Sequence, residues 1–148
     1  MNVTSKGRYA LQVMLDLAKH EEDGFISLKT IADRQGYSMK YLEMIVGNLK
    51  KAKLVESTRG KEGGYKLSRA AGAYTVGEIL RSIEDSLAPV SCIRADGVSC
   101  ENAGVCMTLP MWKELDDITN SYLDNVSLTD LLTGEKWKRN ELIHIDKK

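Results

Sequence analysis

Residues 38–68 read SMKYLEMIVGNLKKAKLVESTRGKEGGYKLS, and this stretch decides the fold. In its first half, Leu42, Ile45, Val46 and Leu49 recur at steps of three, one and three, which places them on one face of an amphipathic helix. Ser38 stands where an N-cap is needed. The opposite face carries Lys40, Glu43, Gly47, Asn48 and Lys51, polar residues with a glycine that permits close approach. The second half holds two β-prone runs, residues 54–58 and 65–68, joined by Arg59-Gly60-Lys61-Glu62-Gly63-Gly64. A glycine-bearing connection of that length between strands predicts a hairpin.

Upstream, residues 4–20 show Tyr9, Ala10, Val13, Met14 and Leu17 at helical spacing, and Glu21-Glu22-Asp23-Gly24 ends that helix. Ser27 caps a second helix that turns Leu28, Ile31 and Ala32 inward and stops near Gly36. Three helices followed by a basic hairpin predict a mainly α protein built on a winged helix-turn-helix. Downstream, Thr75-Val76-Gly77-Glu78 reads as a capping box opening a helix through Asp85, and Pro89 breaks the chain. Pro110 favours a helix start near Thr108. That helix carries a stripe of Met111, Leu115, Ile118 and Tyr122, widened by Trp112 and Leu123, which suits either packing on its own domain or a seam with a second copy. Ser127 caps a last short helix through Leu132, and the polar residues 136–148 are expected to be weakly ordered. The organisation expected is a DNA-binding region over residues 1–85, a cysteine loop over 86–107, a dimerisation helix with its short capping helix over 108–133, and a polar tail over 134–148.

The 148 residues balance 21 Lys and Arg against 21 Asp and Glu, but unevenly. Residues 1–70 hold 13 basic and 8 acidic side chains, a net +5; residues 71–148 hold 8 and 13, a net −5. Such asymmetry points to a polyanion partner for one end only. Residues 34–69 concentrate nine cations against three acids. In a helix-turn-helix the second helix enters the major groove while its flanks hold phosphates. Ser38, Lys40, Tyr41, Glu43, Asn48, Lys51, Arg59 and Lys61 are therefore the candidate contacts to double-stranded DNA. Glu43 can accept a hydrogen bond from cytosine N4, and Arg59 at the hairpin tip suits a narrow minor groove. The hairpin lacks the Gly-Lys-Ser/Thr ending of a nucleotide loop.

No apolar run approaches the roughly 18 residues of a membrane span, and the first nine residues lack an apolar signal segment, so a soluble cytoplasmic protein without membrane partners is expected. All three cysteines, Cys92, Cys100 and Cys106, fall in one segment. An odd cluster cannot complete a disulfide framework. Soft thiolates favour zinc, copper(I) or an iron–sulfur cluster, but zinc commonly uses closer cysteine pairs and four protein ligands. His20 and His144 lie far away in sequence. Three ordinary thiols, or a reversible disulfide with one left over, stand beside the metal reading. No Ser/His/Asp triad, metal-hydrolase His pair or convergent carboxylate pair is apparent, so an enzyme, and with it a small-molecule substrate, is not expected.

Thr4-Ser5-Lys6-Gly7-Arg8-Tyr9-Ala10, Gln35-Gly36, Tyr41-Leu42-Glu43, Leu54-Val55 with Arg59-Gly60, Gly63-Gly64-Tyr65 and Val76-Gly77-Glu78-Ile79 together resemble the winged-helix family of the iron–sulfur regulator IscR, the nitric-oxide sensor NsrR and the cysteine-metabolism regulator CymR. The resemblance spans roughly residues 2–133. It implies a homodimeric transcription factor in which Glu43 and Arg59 read DNA and Cys92, Cys100 and Cys106 ligate a cluster, 2Fe-2S in preference to 4Fe-4S. Repression of iron–sulfur assembly genes is the leading expectation; a thiol- or small-molecule-responsive regulator of cysteine metabolism or redox stress is the alternative. Two positions depart from the pattern. Leu109 stands where IscR has its histidine ligand, and Arg8 where NsrR has an aspartate, so a carboxylate, a small thiol or water remain open as fourth ligand.

Overall fold

A computed structural model describes residues 3–94 and 96–138. Helix α1 (Ser5–Lys19) starts at Thr4, whose hydroxyl accepts from the Gly7 N–H. It buries Ala10, Val13, Met14 and Leu17. Helix α2 (Leu28–Gln35) is capped by Ser27 and ends at Gly36 in the left-handed region, φ 71°. Helix α3 (Met39–Lys51), capped by Ser38, buries the stripe Leu42, Ile45, Val46 and Leu49. Strands β1 (Val55–Thr58) and β2 (Gly64–Leu67) then pair antiparallel from Val55↔Leu67 to Thr58↔Gly64.

The hairpin is not free-standing. Ile26, between α1 and α2, pairs with Tyr65 through two N–H···O bonds of 2.8 Å and adds a third edge to the wing. Gly64 permits this approach, because a Cβ there would overlap the Ile26 carbonyl.

The main core gathers α1, α2 and α3 with Leu54, Val55 and Leu67, and it also takes Tyr74, Ile79 and Leu128 from further along the chain. Tyr74 is fully buried, and its hydroxyl is satisfied twice: it donates to the Leu54 carbonyl at 2.7 Å and accepts from the Arg69 N–H at 2.9 Å. Asp16 is the buried charged residue of this core. Arg34 lies 3.0 Å from its carboxylate and Gln35 Nε2 donates to it at 2.9 Å, which ties α1 to α2.

Helix α4 (Val76–Ile83) lies along α1. A short hairpin of β3 (Ile93–Arg94) and β4 (Gly97–Val98) follows, then α5 (Leu109–Asp124) and α6 (Leu128–Thr133). A smaller cluster of Val76, Leu80, Leu87 and Val126, joined by Leu123 and Trp137, seats the foot of α5. Arg81 reinforces that seat with a bidentate grip on Asp124 and a third bond to Asn120.

Three expectations change. The Thr75 hydroxyl accepts from the Glu78 N–H, but the Glu78 carboxylate binds Arg69 at 2.6 Å, so only half of the expected capping box forms. The complete box lies in α6, where Ser127 and Asp130 cap each other's backbone. The α4 helix closes at Ile83 rather than Asp85, where Glu84 turns back to accept from the N–H and hydroxyl of Thr4. The start of the tail is also ordered: Glu135–Trp137 form a 3₁₀ turn, and Lys136 Nζ donates to the Asn125 carbonyl. Residues 139–148 of the expected tail lie outside the described residues.

Candidate nucleic-acid interface and cysteine loop

Burying Leu42, Ile45, Val46 and Leu49 turns the other side of α3 to solvent, because a helix repeats about every 3.6 residues. Lys40, Glu43 and Lys51 are exposed on that side, and Asn48 is half-buried at its edge. Arg59 and Lys61 are exposed at the tip of the wing, where Gly60 adopts φ 108°. The recognition-type helix and the wing tip thus offer cations from two adjoining elements.

Two of the candidates have structural work. The Ser38 hydroxyl accepts from the Tyr41 N–H at 3.2 Å as the α3 cap. The Tyr41 ring stands edge-on to Tyr9 at 5.5 Å, Tyr9 stacks on Tyr37 at 4.3 Å, and the Tyr41 hydroxyl lies 3.4 Å from Ser5 Oγ. This aromatic cluster fixes the start of α3 against α1.

The basic excess of residues 34–69 is also smaller in the folded chain than by count. Arg34 pairs with Asp16, Lys66 with Glu56 while lying over the Phe25 ring, and Arg69 with Glu78 while lying over Tyr74. Lys40, Lys50, Lys51, Lys53, Arg59 and Lys61 make no ion pair among the described residues, and these are the cations available to phosphates. Sequence reasoning missed the Ile26–Tyr65 pairing that holds the wing to the α1–α2 connection. The adjoining glycines Gly63 and Gly64 were its signal, since two consecutive glycines at a strand start can mark close backbone approach.

The cysteine segment is divided between two elements. The segment between Cys92 and Cys100 forms the β3–β4 hairpin, and the Ser99 N–H donates to the Cys92 carbonyl at 2.8 Å, so Cys92 and Cys100 flank its open end. Cys106 lies at the N-terminal end of α5. Its Sγ is 3.4 Å from the Thr108 hydroxyl. Hydrogen bonding from that hydroxyl, then from the Thr108 and Leu109 backbone, holds the Cys106 thiol below the ordinary thiol range. All three thiols are free. Among the described residues, no three Cys, His, Asp or Glu side chains come together as a metal-binding group. The hairpin holds Cys92 and Cys100 at its own base, while Thr108 engages Cys106 in the next element. The donor chemistry suits a soft metal or cluster; the placement is not preassembled.

Helix α5 exposes the stripe read from the sequence: Met111, Leu115, Ile118 and Tyr122 are 41–59% exposed, and no residue of α5 is fully buried. No helix among the described residues is long and apolar enough to cross a membrane.

The sequence profile of the Rrf2 family, described as iron-dependent transcriptional regulators, matches residues 3–134. The HTH-type transcriptional regulator IscR of Yersinia pseudotuberculosis is 38% identical over 135 residues, covering 91% of this chain and 81% of the relative. The solved structure of CymR, the global cysteine regulator of B. subtilis, superposes with a TM-score of 0.74 at 36% identity, covering 90% of this chain and 98% of that one. IscR of T. potens gives a TM-score of 0.72 at 37% identity, covering 93% and 91%.

Proposed function

Because the chain belongs to the Rrf2 family, and so is a DNA-binding transcriptional regulator with a winged helix-turn-helix and not an enzyme, we propose that it is a homodimeric repressor of iron–sulfur assembly genes that senses an iron–sulfur cluster. The observation that carries the reading is the placement of all three cysteines on one excursion between α4 and the exposed apolar helix α5. Cys92, Cys100 and Cys106 would hold the cluster as thiolates, and the cluster supplies ligation that responds to iron supply and oxidants. Cys106 is held below the usual thiol range by the Thr108 hydroxyl, which favours the thiolate a cluster needs. Drawing three thiols together would tie the β3–β4 hairpin to the first turn of α5. The α5 stripe of one copy would then meet its copy in the dimer, and α3 and the wing of each would face DNA, with Glu43 and Arg59 as base readers and Lys40, Lys51 and Lys61 on phosphates.

Anaerobic reconstitution with iron and sulfide, followed by absorbance, Mössbauer spectroscopy and iron counting, tests this. Wild-type protein is expected to hold a 2Fe-2S cluster, and the C92A/C100A/C106A variant to hold none. Equal iron in that variant would sink the proposal.

A second reading is favoured by the ungathered thiols, by Leu109 at the family's histidine position and by the CymR likeness: a regulator of cysteine metabolism or redox stress that responds through thiols or a small molecule. Loss of DNA binding on peroxide treatment of iron-free protein, reversed by a thiol reductant, would select it.

A further inference from the structure

The exposed face of α3 contains two residues that the fold does not explain. Met44 is 41% exposed, a large apolar side chain on a helix whose other apolar positions are mostly buried. Gly47 sits in mid-helix with no atom within 4 Å of where a Cβ would stand, and with ordinary negative φ. Glycine in a helix interior is less favourable than alanine, so a site with room for a Cβ and no positive φ gives no internal reason for it. Met44 is four residues after Lys40, three before Gly47 and seven before Lys51, so these four share the side of α3 that lies directly opposite Leu42, Ile45 and Leu49. Lys40 and Lys51, both without ion pairs among the described residues, bracket the apolar pair. An apolar patch framed by cations on the exposed face of an amphipathic helix fits a surface that is anionic at its edges and carries methyl groups in its floor. The major groove meets that description, because phosphates rim it and thymine places its 5-methyl group there.

We infer that Met44 and Gly47 form an apolar reading site on α3, with Met44 packing on thymine 5-methyl groups and the bare Gly47 letting the helix settle deep enough to reach them. The inference rests on the DNA-facing assignment of α3. It adds a specificity element to Glu43: the acid selects a cytosine amino group, and the thioether beside it selects neighbouring thymines. Methionine suits this role because its unbranched, polarisable chain adapts to methyl groups at more than one step.

The test uses the full-length chain. Duplexes are first selected from a random 30-base-pair pool, and the enriched site is then rebuilt with each thymine replaced by deoxyuridine, which removes only the 5-methyl group. For wild-type protein, one or more replacements are expected to weaken binding about four-fold each, the size of burying one methyl. Met44→Ala should bind the thymine site more weakly, be indifferent to the same replacements and keep the wild-type slope of log K against log salt, because no phosphate contact is lost. Gly47→Ala should raise the Tm by about 2–4 °C through helix propensity and still weaken specific binding. That opposite movement separates recognition from folding. An equal deoxyuridine penalty in wild type and Met44→Ala, or no penalty in wild type, overturns the inference and leaves the DNA-binding assignment standing. Failure of any duplex to be enriched overturns both.

Discussion

Single atoms decide much of how this chain holds its shape. The Tyr74 hydroxyl links the residue before β1 to the segment leading into α4, donating to one carbonyl and accepting one N–H inside the core. Tyr74→Phe keeps the ring but strands the Arg69 N–H and leaves the Leu54 carbonyl only its longer bond from the Ser68 N–H, so chemical denaturation should show a loss of about 1–3 kcal/mol. Cys106 is the second case. Its thiol is held down by Thr108 and the first backbone N–H groups of α5, so thiolate forms at lower pH than in an ordinary cysteine. The pH profile of its alkylation should have a midpoint below that of a free thiol, and Thr108→Val should move that midpoint upward. Reading a candidate thiol took only the sequence. Its perturbation depended on the helix start, which places hydrogen-bond donors around it.

At the scale of elements, the wing shows how a hairpin acquires a fixed position. The connection's glycines predicted a turn, and the turn is there, but the third edge at Ile26 comes from a segment nearly forty residues earlier. Gly64→Ala should push Ile26 away, lower stability by about 1–3 kcal/mol and abolish slow exchange of the Ile26 and Tyr65 amides, as read by hydrogen exchange. Helix α5 is the opposite case, an element whose periodic face finds no cover among the described residues. Ile118→Glu, placing a charge at a position 59% exposed, should leave the helix content of the chain nearly unchanged and, if the proposed dimer forms through this face, shift sedimentation toward monomer. Capping signals were read well where the side chain had one partner available, as at Ser27, Ser38 and Ser127. They were misread at Glu78, because a guanidinium brought by the preceding turn competes better for a carboxylate than one backbone N–H does.

Over the whole molecule, the zero net charge conceals a division of labour: the basic excess belongs to α3, the wing and their flanks, the acidic excess to the cysteine segment and α5. Binding to DNA should weaken steeply with salt, and Lys61→Ala should reduce the magnitude of the log K–log salt slope by about 0.9 per bound chain, measured by fluorescence anisotropy. The equivalent change at Arg69 should leave that slope nearly unaltered, since its charge is already met by Glu78. By itself the sequence determined the three helices, the hairpin, most of the core and the confinement of the thiols to one segment. Those features are written in local periodicity, capping residues and spacing, which act over a few residues. Tertiary structure alone decided which cations lack an ion pair among the described residues, that Ile26 completes the wing, that Leu128 returns to the first core and that the three thiols do not form a metal-binding group there. Each of these depends on residues far apart in sequence meeting in space, where burial and competition between partners, rather than local preference, set the outcome.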